Sequence, residues 1–234
     1  TLTELLTGYG EVFVVWFDGL GNQQKYGGTR FHELIHRLQP ATLINNRIGL
    51  TGDFVTPEQR LPNGIPRKGS AVGNTDPNDK GVLNSAPKPE EFQMWETCMT
   101  INGTWGYNRN DTKFKSSTTL VRALIDAASK GGNFLLNIGP TPEGTVQPEF
   151  EERLLAMGAW LKVNGDSIYG TTYGPLQTLP FGRMTAKGKT LYLHVFDMPK
   201  GQIEFDGLAA KVVAVKTLDG RASVKFHQTG GKVV

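Results

Sequence analysis

Glu11-Val12-Phe13-Val14-Val15-Trp16-Phe17-Asp18-Gly19 decides how this chain is read. β-Branched and aromatic residues run together and end in one carboxylate followed by glycine. A continuous apolar run bounded by turn residues reads as a strand buried on both faces, as in a parallel sheet. An acid at the C-terminal end of such a strand occupies the place where barrel enzymes keep catalytic groups. From position alone, Asp18 serves equally well as a helix cap or turn residue.

Working outward, Thr3 to Tyr9 reads as the end of an amphipathic helix. After the Gly19–Gly28 loop, Phe31, Leu34, Ile35 and Leu38 recur at helical spacing until Pro40. Thr42-Leu43-Ile44-Asn45-Asn46-Arg47 is a second short strand with a polar end. Strand, helix, strand with short links is the βαβ unit of a parallel sheet. Residues 48–92 are rich in proline and poor in apolar residues, and read as one long loop. Strand character returns at Phe92–Ile101, followed by an aromatic turn, Gly103-Thr104-Trp105-Gly106-Tyr107-Asn108. A helix capped by Ser117 carries Leu120, Val121, Leu124, Ile125 and Ala128. Asn133–Gly139 reads as another buried strand, Pro148–Asn164 as a helix, and Ser167–Gly170 as a short extended piece. From about Tyr173 the pattern becomes short alternating strands, at 190–196, 202–205, 211–215 and 223–226. This predicts a small antiparallel β domain, read as a sandwich. The boundary falls near residues 171–178, giving an α/β domain over 1–172 and a β domain over 173–234.

Composition narrows the function. The 234 residues are 38% hydrophobic and carry a net charge of +3, too mild and too evenly spread for a nucleic-acid or anionic-membrane partner. No apolar run approaches the length of a membrane span. The single Cys98 excludes an internal disulfide and, flanked by apolar residues, reads as a buried inert thiol. His32 and His36 have the i, i+4 spacing of a metal pair, but lie on a surface helix without an acidic third ligand, so no metal and no cofactor is expected. No leader segment is visible at Thr1, so the compartment stays open between cytoplasmic and secreted, for a soluble protein of bacterial type.

Strand ends on one face of a parallel sheet converge, bringing Asp18, Arg47 and Glu96 towards one pocket. Trp16, Trp95, Trp105 and Tyr107 fall in the same segments. Carboxylates, an arginine and indoles in one cleft suit a sugar: aromatic faces stack on the pyranose and charged groups bind its hydroxyls.

Five blocks occur in order: Val14–Gly19, Ile44–Arg47, Gly52-Asp53-Phe54-Val55-Thr56-Pro57-Glu58, Trp95-Glu96-Thr97-Cys98 with Trp105–Asn108, and Gly131–Pro140. As a set they resemble the α-L-fucosidases of glycoside hydrolase family twenty-nine, over most of the first 170 residues. The resemblance implies a (β/α)8 barrel of the TIM type and a retaining mechanism with two carboxyl groups about 5–5.5 Å apart. Asp18 matches the nucleophile at the end of the fourth barrel strand, with Arg47 as its cationic neighbour and a contact to the sugar. Glu58 resembles the acid/base of bacterial members and is preferred, as a residue on a mobile loop; Glu96 is the rival. Trp16 and Trp105 match the pocket for the C5 methyl group of fucose, and Trp95 and Tyr107 join them as substrate contacts. The implied substrate is a fucosylated oligosaccharide or glycoconjugate, with transfucosylation as an added activity.

The resemblance starts half a barrel late, and the family's paired histidine has no counterpart here. The chain is therefore expected to be either a fragment or a compact enzyme with a partial barrel. A partial barrel leaves an unpaired edge, which favours a homo-oligomer. A non-catalytic fucose-binding module is the alternative function. A retaining α-galactosidase is a third reading, disfavoured because a C6 hydroxyl would be unpaired in an apolar pocket.

Overall fold

The structure, a computed structural model, describes residues 1–19, 26–69, 87–176 and 179–234. Parts of the 19–28 and 48–92 loops and of the 171–178 boundary lie outside the described residues. Helix α1 (Leu2–Gly8) has its own N-cap at Thr1, whose side chain accepts from Glu4 while Glu4 reaches back. Strand β1 (Val14–Val15), helix α2 (Gly28–Leu38) and strand β2 (Leu43–Ile44) follow, and β1 pairs with β2 in parallel. Strand β3 (Glu96–Thr100), helix α3 (Ser117–Ser129), strand β4 (Asn133–Asn137) and helix α4 (Pro148–Asn164) make a second parallel unit. Ser116 caps α3, one residue before the expected Ser117.

The expected long loop is corrected in its first part. Residues 53–59 run as a parallel strand between β2 and β3, through the bridges Asn45↔Phe54, Val55↔Trp95 and Glu58↔Cys98. Val55 both donates to the Met94 carbonyl and accepts from Glu96 N–H. Pro57 can only accept, from Cys98 N–H at 3.2 Å, so the ladder skips a bond there. That missing donor, with the polar residues around it, hides the strand from periodicity. The parallel order is thus β1, β2, 53–59, β3, β4.

Position in this order explains burial. Central β3 is almost wholly buried, whereas the outer strands are not. The opening stretch was expected to be buried on both faces; instead Phe13 is 78% exposed and Val14 to Phe17 are half-buried. Likewise Leu135 in β4 is exposed rather than buried. Each of β1 and β4 has one strand partner among the described residues. Leu6, Ile35, Ile44 and Ile48 form one core beneath α1 and α2, and Ile101, Leu120, Phe150 and Met157 a second beneath α3 and α4.

The extended piece expected over Ser167–Gly170 is instead the end of a 3-10 turn (Gly165–Ser167) followed by a further turn at 168–170. Strands β5 (Thr172–Tyr173), β6 (Gly182–Lys187) and β7 (Thr190–Val195) form an antiparallel sheet, and β8 (Gln228–Thr229) with β9 (Lys232–Val233) a hairpin. The strands expected at 202–205 and 223–226 reduce to isolated bridges, Phe205↔Val233 and Lys216↔Ser223, and 211–215 holds neither strand nor bridge. Most side chains there, Val213 and Val224 among them, are exposed, so alternation does not mark a buried face. The described residues are mixed α/β with no closed barrel. The antiparallel sheet docks on α3, where Asp126 accepts from both Lys130 and Arg183.

His194 in β7 sets a pH dependence. Its Nε2 lies 3.2 Å from the Thr185 hydroxyl and its ring leans on Trp160. Burial pushes its pKa from the ordinary 6.5 down to about 4, opposed by a hydrogen bond with the Ser167 backbone. Between those values the unfolded chain binds a proton that the folded chain refuses. The His194 contribution is therefore intact above pH 6.5 and declines as pH falls towards 4, by roughly 3 kcal/mol in all. Urea midpoints from pH 7 to 4.5 will fall more steeply for the native chain than for His194→Gln.

Candidate active site

The site begins with a side chain that continues a strand. The β1–β2 ladder stops at Val15, but the fully buried Asn45 amide takes over. Its Oδ1 accepts from Phe17 N–H at 2.8 Å and its Nδ2 donates to Phe17 O at 2.9 Å. Both polar atoms of the amide hold one residue in extended form, placing Trp16 before it and Asp18 after it. Asp18 emerges with its side chain 70% exposed, one oxygen accepting from Gly19 N–H.

Two residues beyond Asn45, Arg47 reaches across the strand ends. Its Nη1 pairs with Asp18 at 2.9 Å and its Nη2 with Glu58, also at 2.9 Å. One guanidinium thus bridges two carboxylates. Its Nε donates to the Thr56 hydroxyl at 2.8 Å, Nη2 lies 3.3 Å from Cys98 Sγ, and its plane covers the Trp16 ring at 4.7 Å. Burial works against its charge, but hydrogen bonds to Asp18 and Glu58 and the nearby Cys98 outweigh it and raise the pKa of Arg47. Cys98 is buried, and burial pushes its thiol up despite the arginine, leaving a neutral thiol.

Glu58 closes the 53–59 strand. It was expected on a mobile loop; instead it stands in the sheet, bridged to Cys98. Its Oε1 accepts from Trp105 Nε1 at 3.2 Å. The next residue, Gln59, has φ +56, a left-handed conformation uncommon for a side-chain-bearing residue, and its amide is tied to Thr100. This turn lets the chain leave the sheet immediately after Glu58.

Glu96 faces the same side but has a different partner: its Oε1 accepts from Trp16 Nε1 at 3.1 Å. Trp95, its neighbour, is corrected. It is 3% exposed and donates to Lys130 O, and a Cβ on Gly132 would fall 2.2 Å from its ring. Successive strand residues point to opposite faces, so Glu96 and Trp95 cannot both face the pocket. Trp105 and Tyr107 lie on the turn after β3. Asn137 donates to Trp105 O at 2.7 Å, and Gly139 permits the approach, since a Cβ there would meet the Gly106 carbonyl carbon at 2.6 Å. Trp105 remains 40% exposed at the rim.

Asp18, Arg47, Glu58, Trp16, Glu96 and Trp105 are thus one hydrogen-bonded and stacked group, Tyr107 follows two residues after Trp105 on the same turn, and Trp95 lies outside. The sequence reading missed Asn45, Thr56 and Gln59. Asn45 had a signal, an amide pair at a strand end; Thr56 and Gln59 had none once their strand was read as loop. The His32 and His36 rings lie against one another, tilted by 58° with centroids 4.5 Å apart. Among the described residues no three His, Cys, Asp or Glu side chains are grouped as for a metal ion, and no helix is long and apolar enough to cross a membrane.

The α-L-fucosidase family model matches residues 1–166. Plasma α-L-fucosidase of Homo sapiens is 36% identical over 175 residues, 73% of this chain and 34% of that protein. The structure of α-L-fucosidase isoenzyme 1 from Paenibacillus thiaminolyticus superposes with a TM-score of 0.80 at 34% identity, over 97% of this chain and 52% of that one. An α-L-fucosidase from Vibrio sp. strain EJY3 gives 0.79 at 29% identity, over 99% and 40%. The chain spans about a third of the length of its human relative and about half of the Paenibacillus protein.

Proposed function

Because the chain belongs to the α-L-fucosidase family, we propose that it carries the reacting carboxylates of a retaining α-L-fucosidase. Asp18 attacks the anomeric carbon of a terminal α-L-fucose while Glu58, in its protonated form, gives its proton to the departing glycosidic oxygen. The resulting fucosyl–Asp18 ester is opened by water, whose proton Glu58 takes, and the sugar leaves with its original configuration. A second sugar alcohol replacing that water gives transfucosylation. The substrates are fucosylated oligosaccharides or glycoconjugates.

The observation that carries this reading is the single guanidinium of Arg47 bridging Asp18 and Glu58, at 2.9 Å to each. A positive charge between two negative ones allows two carboxylates to stand close together. Each acid accepts from an indole, Glu58 from Trp105 and Glu96 from Trp16, and it is the shared Arg47 with Asp18 that favours Glu58 as the acid/base. The Trp16 ring, stacked under Arg47, and the exposed Trp105 form the aromatic side of the proposed fucose pocket, to which Tyr107, two residues after Trp105, is a further proposed contact.

The five parallel strands are read as part of a (β/α)8 barrel occupying 1–172, with a β domain over 173–234. Among the described residues β1 and β4 each have one strand partner, which supports completion by further strands, from a longer chain or from a second copy in a homo-oligomer; a monodisperse monomer in light scattering removes the second copy. The functional test is hydrolysis of an aryl α-L-fucoside beside the matching α-galactoside. A preference for the fucoside of about 10-fold or more is expected, since a C6 hydroxyl is left unpaired against apolar rings. Fucose binding without turnover supports a binding module instead.

A further inference from the structure

We propose that Thr56, clamped by Asn46, is a positioning residue that locks the plane of the Arg47 guanidinium so that it can serve Asp18 and Glu58 together. The inference rests on the fucosidase reading for its effect on rate, and on geometry alone for the clamp.

An arginine bridging two carboxylates at a partly open strand end has a long side chain and many rotamers. Its two terminal nitrogens reach different acids only when the guanidinium plane contains both directions. Bonds to Asp18 and Glu58 alone do not secure this, because both acids are themselves partly exposed. The third edge of the fork secures it. Nε–H donates to Thr56 Oγ at 2.8 Å, and Nη2 approaches Thr56 O at 3.4 Å. One residue therefore holds the edge opposite Asp18, while the Trp16 ring closes one face.

Thr56 is in turn immobile. Its hydroxyl donates to Asn46 Oδ1 at 3.1 Å, and its own N–H donates to the same oxygen, also at 3.1 Å. Asn46 is fixed by its main-chain bond to Phe54 O at 3.0 Å. Protons are thus ordered in one direction, from Arg47 to the Thr56 oxygen and from the Thr56 hydroxyl to the Asn46 carbonyl. The hydroxyl uses its donor on the amide, so its lone pair is left aimed at Nε. Thr56 is buried, so water does not replace it readily. Neither Asn46 nor Thr56 makes a contact with Asp18 or Glu58 that would give it a direct part in the chemistry.

The test compares Thr56→Val, which keeps shape but removes the acceptor, with Thr56→Ser, which keeps the acceptor. Nitrogen-15 NMR of the Arg47 Nε–H reports the clamp without substrate. In the native chain and Thr56→Ser the Nε–H exchanges slowly with water; in Thr56→Val exchange is accelerated. On an aryl α-L-fucoside, Thr56→Val lowers kcat about 10- to 100-fold with KM within about threefold, as expected when a catalytic group is displaced by an ångström or so. Thr56→Ser recovers kcat to within about threefold of native. An Nε–H in Thr56→Val as protected as in the native chain overturns the proposal, as does failure of Thr56→Ser to recover either signal. If the native chain hydrolyses no fucoside, the fucosidase reading fails, and the Nε–H exchange still decides the clamp.

Discussion

Asp18→Asn will lower kcat on an aryl α-L-fucoside by about 10⁴-fold or more while leaving the fold unchanged. The substitution is nearly isosteric. The amide oxygen still accepts from Gly19 N–H and faces Arg47 Nη1, so the strand end keeps its geometry. What is lost is the carboxylate proposed to form the ester, and no neighbouring group stands in for it: Glu58 is held at the other arm of Arg47 and Glu96 at the Trp16 indole. Because the Asp18 side chain is largely exposed, the cost in stability stays within about 1 kcal/mol. Thermal melting of the variant beside its rate separates the two effects. A variant that keeps a tenth of native activity removes Asp18 from the mechanism.

Glu58→Gln distinguishes the two candidate acids. On a substrate with a poor leaving group, kcat/KM will fall about 10²- to 10⁴-fold, because the departing oxygen receives no proton. On an activated aryl fucoside the first step needs little acid help, and the fucosyl ester accumulates because water lacks its base. Azide needs no base, so it restores turnover and yields a fucosyl azide. Glu96→Gln keeps an oxygen for Trp16 Nε1 and will show neither leaving-group selectivity nor azide rescue. The opposite pattern, rescue in Glu96→Gln alone, exchanges the two roles. Trp105 couples to this experiment, since its indole is shared with Glu58 Oε1 at 3.2 Å.

How much of this was legible in the sequence depended on whether a strand kept its ladder. Asp18 and Arg47 stood out because each ends an apolar run joined by short links, and the structure joins them by one ion pair. The helices α2, α3 and α4 followed from periodicity because each buries one stripe. Residues 53–59 did not, because Pro57 removes a donor and Thr56 and Gln59 are polar residues serving side-chain contacts. Glu58 therefore looked like a loop acid although it stands in the sheet. The sequence reading placed both Trp95 and Glu96 at the site, although strand alternation allows only one of two neighbours to face it, and the buried one is Trp95. Exposure of Phe13 and Leu135 was invisible because apolar composition does not say whether a strand is central or at an edge. In the last sixty residues the strand expected at 190–196 forms in a paired sheet, whereas after residue 200 alternation without burial suggested strands that leave only single bridges.

The site works as a unit in which framework and chemistry share groups. Asn45 extends β1 so that Asp18 is presented; Asn46 and Thr56 orient Arg47; Gln59 turns the chain beyond Glu58. Each stands beside the charged group it serves in space, several of them from a neighbouring strand, in the order that the parallel ladder sets.

The central claim is that Asp18 forms the bond to the sugar. A 2-deoxy-2-fluoro-fucosyl fluoride tests it most directly, because the electron-withdrawing fluorine slows hydrolysis of the ester after the activated fluoride has left. Intact-mass measurement followed by peptide mapping will find one fluorofucosyl unit on the peptide containing Asp18, and none on the Asp18→Asn variant. A sugar attached at another residue, or steady hydrolysis of an aryl fucoside with no attachment at Asp18, contradicts the account.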